Sequence, residues 1–448
     1  MNGTALRIAG LIAPLAALTV GPAHADTLSA SDIFSQFNAV IFGNFASSSD
    51  VEGRTVVGGN LTGGATFDLN PAAAAASSFS SLTVYGNTTY GGNYNINNGG
   101  GVTIAGTNNV SFNLNGGGSA YVGGANSGNI NLSGGSGNVT VGGTNSGGLS
   151  LSYGGSVYVG AGNTGRGISA NGNATVAING SNSANLTLNG GGTVSLNGSN
   201  TGTISLNGGS LSYTGSQSGN LNLNGGATAT KVSSLNLTAA TSTLGSFATT
   251  FQTPLTALST QLNSLAANSA AKSSGGAITF NAAPDASGIA VFGINTSLFT
   301  PNSTVTINLE GATSVIINVN VDSCVSSNCS FSLPNSLNFN NPTGYADTVL
   351  WNFVNATNLT FPNEFGGSIL APLAGVSNNA PIDGTLVAAN YTGNGELHSH
   401  PYTGAFPGTV TLSTTGAVPA PEPGSLALIG SGLAGLAAIR RRKTRKTG

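Results

Sequence analysis

Charge is what this chain has least of. Only 24 of its 448 residues are Lys, Arg, Asp or Glu, where an ordinary soluble protein carries about a quarter. The shortage is deepest in the middle. No Asp or Glu occurs between Asp68 and Asp285, and Arg166 is the one charged residue between Asp68 and Lys231. Neutralising phosphates takes clustered Lys and Arg, so the sequence argues against a nucleic-acid partner. The acid gap removes the calcium-binding nonapeptide solenoid, whose repeat needs an Asp in each unit. Two cysteines cannot build a disulfide-rich scaffold or a four-thiolate zinc site. Low charge also argues against electrostatically swollen disorder, and a mean hydropathy of +0.15 leaves apolar surface to bury.

Glycine is abundant, at 69 residues, and the length allows two or three domains. Six of the eleven basic residues sit in the last nine positions. The body, residues 26–417, keeps four basic residues (Arg54, Arg166, Lys231, Lys272) against twelve acidic ones, a formal charge of −8. The net −2 of the whole chain hides an acidic body with a basic tail.

Both ends read as addresses. Arg7, the apolar run from Ile8 to Val20 and Ala23-His24-Ala25 have the order of a signal peptide, residues 1–25, with cleavage after Ala25. The C-terminus has Pro421-Glu422-Pro423, a weakly apolar segment over 424–439, and a basic tail over 440–448 that opens with Arg440, Arg441 and Arg442. Sixteen helical residues span about 24 Å, short of a hydrocarbon core of about 30 Å. The basic tail would stay cytoplasmic. The segment therefore reads either as a poor permanent anchor or as a processed signal.

That order of elements resembles the PEP-CTERM sorting signal. The resemblance implies handling by an exosortase, a membrane enzyme of Gram-negative bacteria that make extracellular polysaccharide. It also implies that the short transmembrane sorting helix holds the chain in the inner membrane transiently.

Residues 101–226 repeat. Ile104, Val122, Val141, Val159, Ile178, Leu196 and Tyr213 recur at steps of 18, 19, 18, 19, 18 and 17. Leu114, Leu132, Leu151, Ala170, Leu188, Leu206 and Leu223 follow at 18, 19, 19, 18, 18 and 17. Two registers drifting together define one unit of about 18 residues, with short alternating strands and Gly/Asn corners. One such unit buries too little to offset its ordering entropy. Stacked rungs pair their backbones and line the apolar residues into a core. Asn, Ser and Thr at equivalent positions should form ladders over the faces and turns. The fold expected is mainly β, a parallel β-helix (solenoid) of ~18-residue rungs with one flanking α-helix.

The helix comes next, about 241–268. Leu244, Phe247, Phe251, Leu255, Leu258, Leu262 and Leu265 form an apolar stripe at steps of 3 and 4. Pro254 either kinks it or starts it, with Thr253 as N-cap. Strand-like runs return at 304–309, 315–321, 349–353, 368–370 and 385–388. They and residues 32–100 should complete the same solenoid, with the helix as an excursion. Residues 403–423 read as a Thr/Pro/Gly linker.

The flanks of the repeat carry a second resemblance. Phe37-Asn-Ala-Val-Ile-Phe-Gly-Asn-Phe45, Asp50-Val-Glu-Gly-Arg54 and Val57-Gly-Gly-Asn60 are similar to the start of the choice-of-anchor A domain. Leu350-Trp-Asn-Phe353, Gly367-Ser-Ile-Leu-Ala-Pro372, Ile382-Asp-Gly-Thr-Leu-Val387 and Gly393-Asn-Gly-Glu-Leu-His398 are similar to its end. This family, also labelled adhesive or collagen-binding-like, joins a surface domain to varied C-terminal anchors. The resemblance implies a domain over 26–402 that is right-handed and patterned like ice-binding-type β-helices with a helix alongside.

Candidate chemistry is thin. Gly160-Ala-Gly-Asn-Thr-Gly165 has dinucleotide-loop spacing, but another rung follows it instead of a helix and an acid, so these are turn glycines. Glu396, His398 and His400 alternate, which would place them on one strand face where they could hold a metal; the other reading is a polar strand end bonding a rim. Cys324 and Cys329 read as a disulfide closing a small loop in an exported chain. Glu52 and Arg54 read as a local ion pair.

Carbohydrate-cleaving β-helices need clustered carboxylates, and the repeat has none. The function expected is that of an exported, non-enzymatic structural or adhesive protein of the cell surface or extracellular matrix, without cofactors. Its partner would be extracellular polysaccharide or another surface polymer, as in a biofilm. The alternatives are an ice-binding solenoid, which a threonine-dominated ladder would favour, lateral self-association, and a polysaccharide-active enzyme.

Overall fold

The computed structural model describes residues 28–407, apart from 72–73, 239–243 and 326. The signal segment with Ala25, the stretch 408–423 and the sorting segment with its arginine cluster lie outside the described residues.

Parallel strands stack into a solenoid with three columns per turn. The first column holds the longest ladder. Read along the axis it runs from Ile289–Asn295 through Ser314–Asn320, Val349–Phe353 and the starts of Ser368–Asn378 and Leu386–Gly393. It continues through Ala39–Ile41, Thr55–Val57, Leu82–Val84 and Val102–Ile104, then through every repeat to Thr228–Lys231. The chain therefore enters the stack in its middle. It builds outward to residue 231, crosses back, and fills the other half from the far end until Leu386–Ala388 lies beside Ala39–Ile41. At that far end an antiparallel strand, Ala270–Ser274, closes the second column.

Both apolar series fall into single rows. Ile104 to Tyr213 are consecutive register partners in the first column. Leu114 to Leu223 are partners in the second. Their side chains point inward and are buried until the last rung, where Tyr213, Leu221 and Leu223 are only partly covered. Alternation makes this work: one residue in two faces the core, and the rest face out.

The third column was not foreseen. In the flanking rungs it is an apolar row, Phe331, Leu359, Val376, Tyr391, Phe45 and Leu61. In the repeat it narrows to single bridges between asparagines, Asn108, Asn126, Asn145, Asn163, Asn182 and Asn200. At most 1 % of each is exposed. Every Nδ2 from Asn108 to Asn182 donates to the Oδ1 of the next asparagine at 2.7–2.8 Å. Five of the six also donate to the carbonyl two residues on, at 2.9–3.0 Å. The Thr88 hydroxyl starts the ladder by donating to Asn108 at 2.6 Å. Besides the ladders expected on faces and turns, a polar ladder thus lies inside, where pairing of each side-chain amide makes its burial tolerable.

Helix α1 (Ala30–Gln36) opens with a capping box between Ser29 and Asp32. Helix α2 (Thr253–Asn263) follows a π turn, Ala248–Gln252. Thr253 is not its N-cap: it is already helical, and its N–H reaches back to Ala248 O. The π turn carries the helical path into Pro254, whose missing N–H falls in the first turn of α2, where it costs little. The stripe Phe251, Leu255, Leu258 and Leu262 packs on outward residues of the first column, including Val40, Val56, Leu350, Leu370 and Val387. Asn318 donates to Leu262 O at 2.7 Å and Asn352 to Ser259 O at 2.9 Å, satisfying carbonyls in the last turns of α2.

Residues 403–407, read as linker, belong to the body. Thr403 N donates to Asp347 O, Gln261 donates to Pro407 O, and the Phe406 ring stacks on Tyr402. Among the described residues no helix is long and apolar enough to cross a membrane.

Candidate functional site

The acids and histidines gather in the flanking rungs. Asp383 and His398 are register partners, and bridges from Val51 to Leu397 and Phe67 extend their row to Glu52 and Asp68. His398 is held from both sides, Nδ1 against Asp383 Oδ1 at 2.6 Å and Nε2 against Glu396 Oε2 at 3.0 Å. The bond to Asp383 dominates and raises its pKa to about 9, with Glu396 and Glu52 adding and burial opposing. An imidazolium is therefore fixed between carboxylates at neutral pH. Glu52 is taken up by the Ser399 N–H at 2.8 Å. Burial, and then Asp383, push the Glu364 carboxyl up.

The structure thus brings Glu396 and His398 together, with Asp383 as the partner that sequence reading missed. The signal was Ile382-Asp383 and Leu397-His398 at matching places in two successive rungs. The chain enters His400 through a bond from its N–H to His398 O. Among the described residues no three His, Cys, Asp or Glu side chains are grouped to hold a metal. Both ring nitrogens of His398 are already engaged. Glu52 and Arg54 do not pair: Arg54 donates to Phe79 O and Gln36 O at 3.1 and 3.0 Å. Cys324 and Cys329 form the expected disulfide.

The repeat offers broad uncharged surfaces. In the second column the outward row Asn95, Asn113, Asn131, Ser150, Ser169, Thr187, Ser205, Asn222 runs through eight rungs. A neighbouring row includes Asn171, Asn189, Asn207 and Asn224, all exposed. Side-chain amides tie rungs together here as well: Asn113 donates to Asn95 at 3.1 Å and Asn131 to Asn113 at 2.9 Å. These outer bonds point toward the earlier rung, opposite to the inner ladder. Rungs repeat at about 4.8 Å, so eight present a flat strip roughly 34 Å long.

The first column is less open. Fifteen residues separate Lys231 from Phe247, whose ring packs on Phe42 and Tyr85. The return covers eight rungs, about 38 Å, within the roughly 50 Å that fifteen residues can span. Leu235, Leu237 and Leu244 on this path are partly buried, and Thr140, Tyr158 and Ala177 of the outward row are buried. The second face is the candidate binding surface.

Residues 30–133 and 112–399 match the family described as "Putative Ice-binding-like adhesive domain". Residues 419–443 match the PEP-CTERM protein-sorting motif, which marks an exported, cell-surface protein. Among curated proteins none matches. The C-terminal domain of tapirin from Caldicellulosiruptor kristjanssonii is similar at 16% identity, over 82% of this chain and 94% of that one, with a TM-score of 0.21. Because the matched stretches span nearly the whole described solenoid, the chain belongs to the ice-binding-like adhesive domain family and carries a PEP-CTERM sorting motif.

Proposed function

We propose that the protein is a non-enzymatic adhesin of the cell surface or extracellular matrix that binds the producer's exopolysaccharide through the second face of its repeat. The observation that carries this reading is the eight-rung strip of outward Asn, Ser and Thr side chains. Their spacing is fixed by the backbone ladder, so a polymer with a regular repeat meets the same donors and acceptors at each rung. Each contact is weak, and their number supplies the retention. Sorting by an exosortase, with the segment 424–439 held transiently in the inner membrane, and descent from choice-of-anchor A proteins fit the same reading. A catalytic role is disfavoured because His398 and its carboxylates bind one another.

The family description gives ice binding a specific claim as the second reading. The open strip, however, mixes Asn, Ser and Thr instead of repeating threonine. Co-sedimentation of the mature protein with the producer's insoluble polysaccharide, against unrelated polysaccharides, tests the proposal. Selective, salt-insensitive pelleting is the expected result. Pelleting with none of them, together with inhibition of ice recrystallisation, would hand the face to ice.

A further inference from the structure

The second face has one interruption. In the outward row that runs through Asn93, Ser111 and Asn129, the next two rungs carry Gly148 and Gly167, and Asn185 follows. The missing side chain at Gly148 leaves a shallow trough of about 280 Å³, which Gly167 also lines. Arg166 lies beside it. Its Cβ is 3.7 Å from where a Gly148 Cβ would sit, and its Nη1 reaches across to Asn129 Oδ1 at 3.3 Å. Gly148 thus lets the arginine lie flat against the sheet.

The cation is singular as well as placed. It is the one charged residue from 69 to 230, and no carboxylate pairs with it among the described residues. One of five guanidinium N–H groups is used on a neutral amide, and the side chain is exposed. Elsewhere on this face the side chains can only exchange neutral hydrogen bonds.

We infer that the trough at Gly148 and Gly167 is a subsite for an acidic sugar unit, a uronate whose carboxylate pairs with Arg166 while its hydroxyls meet Asn131, Ser150 and Asn185. This rests on the adhesin reading above and adds the class of sugar. A planar carboxylate matches the guanidinium fork in two parallel bonds. The trough fixes where along the polymer that unit sits, so it sets register on an otherwise uniform strip.

The test uses the mature protein with polygalacturonate, dextran and dextran sulfate, in low and high salt. Polygalacturonate should be retained about tenfold better than dextran at low salt, as one charge-assisted bond pair allows. High salt should erase that preference and leave the salt-insensitive retention that the neutral strip supplies. Arg166→Gln and Gly148→Asn should each abolish it, bringing polygalacturonate retention down to that of dextran. Gly148 accepts a side chain, since its Cβ would crowd the movable Asn129 amide, at 2.9 Å, and meet Arg166 Cβ at an ordinary 3.7 Å. Gly167 would not, because its φ is +97°. Equal polygalacturonate binding by Arg166→Gln would overturn the subsite alone. Dextran sulfate bound as well as polygalacturonate would overturn the carboxylate assignment. Failure of the unaltered protein to bind any polymer, including the producer's own, would instead sink the adhesin reading with it.

Discussion

One outward row of the first column crosses both halves of the molecule, and it changes character on the way. Through the flanking rungs it reads Leu370, Val387, Val40, Val56 and then Thr83; through the repeat it continues as Thr103, Tyr121, Thr140. The backbone is the same ladder throughout. The apolar stretch lies under α2 and α1, so the flank has a second core outside its sheet. The third column changes in the same sense but faces inward, apolar in the flank and amide in the repeat. A flanking rung is thus held by apolar packing on two sides, a repeat rung by one apolar core and a polar seam.

That contrast can be broken from either side. Leu258→Asp would put a charge into the α2 contact and should cost about 4 kcal/mol or more, read as a shift in the denaturant midpoint. Asn145→Leu removes a donor and an acceptor from the buried ladder and strands its neighbours Asn126 and Asn163. It should cost about 3 kcal/mol, although the same leucine is native in this column at Leu61. A neutral outcome would show that the seam is not a stabilising element. Reducing the Cys324–Cys329 bond, which spans five positions, should cost about 2 kcal/mol by loop entropy, without altering the repeat's circular dichroism.

The titration of His398 should be smaller. Its folded pKa lies near 9, above the ordinary 6.5. The stabilisation is therefore complete below about pH 6.5 and is lost as pH rises through about 9, on the order of 1 kcal/mol after solvent screening. Unfolding curves of His398→Gln should lose that slope. Smallest of all, Ser169→Ala on the open second face should stay within about 0.5 kcal/mol.

The repeat was legible in the sequence because two strict periods coincide there, and every residue of both apolar series found its register partner. The stripe from Phe247 to Leu262 gave the excursion helix for the same reason. The helix start misled because Pro254 and Thr253 imitate a cap, and a local signal cannot show a π turn upstream. Asn108 to Asn200 were visible as a period but not as a core, since asparagine composition suggests surface. The Asp383–His398–Glu396 contact needed two rungs to be superposed, which spacing within one strand cannot supply. The return of the chain across the first column was hidden too, because length alone does not say where the chain must arrive.

Entry of the chain at mid-stack has a consequence for timing. Repeat neighbours are about 18 residues apart in sequence, so these rungs can stack as they emerge from export. The first rung cannot finish this way. Its other neighbour, Leu386–Ala388, follows 347 positions later in the chain. Until that strand arrives, Ala39–Ile41 keeps an open edge, the kind of edge that recruits foreign strands. The sorting motif at 419–443 follows within a few dozen residues. Closure of the seam and arrival of the signal that disposes of the chain therefore fall at nearly the same moment of secretion.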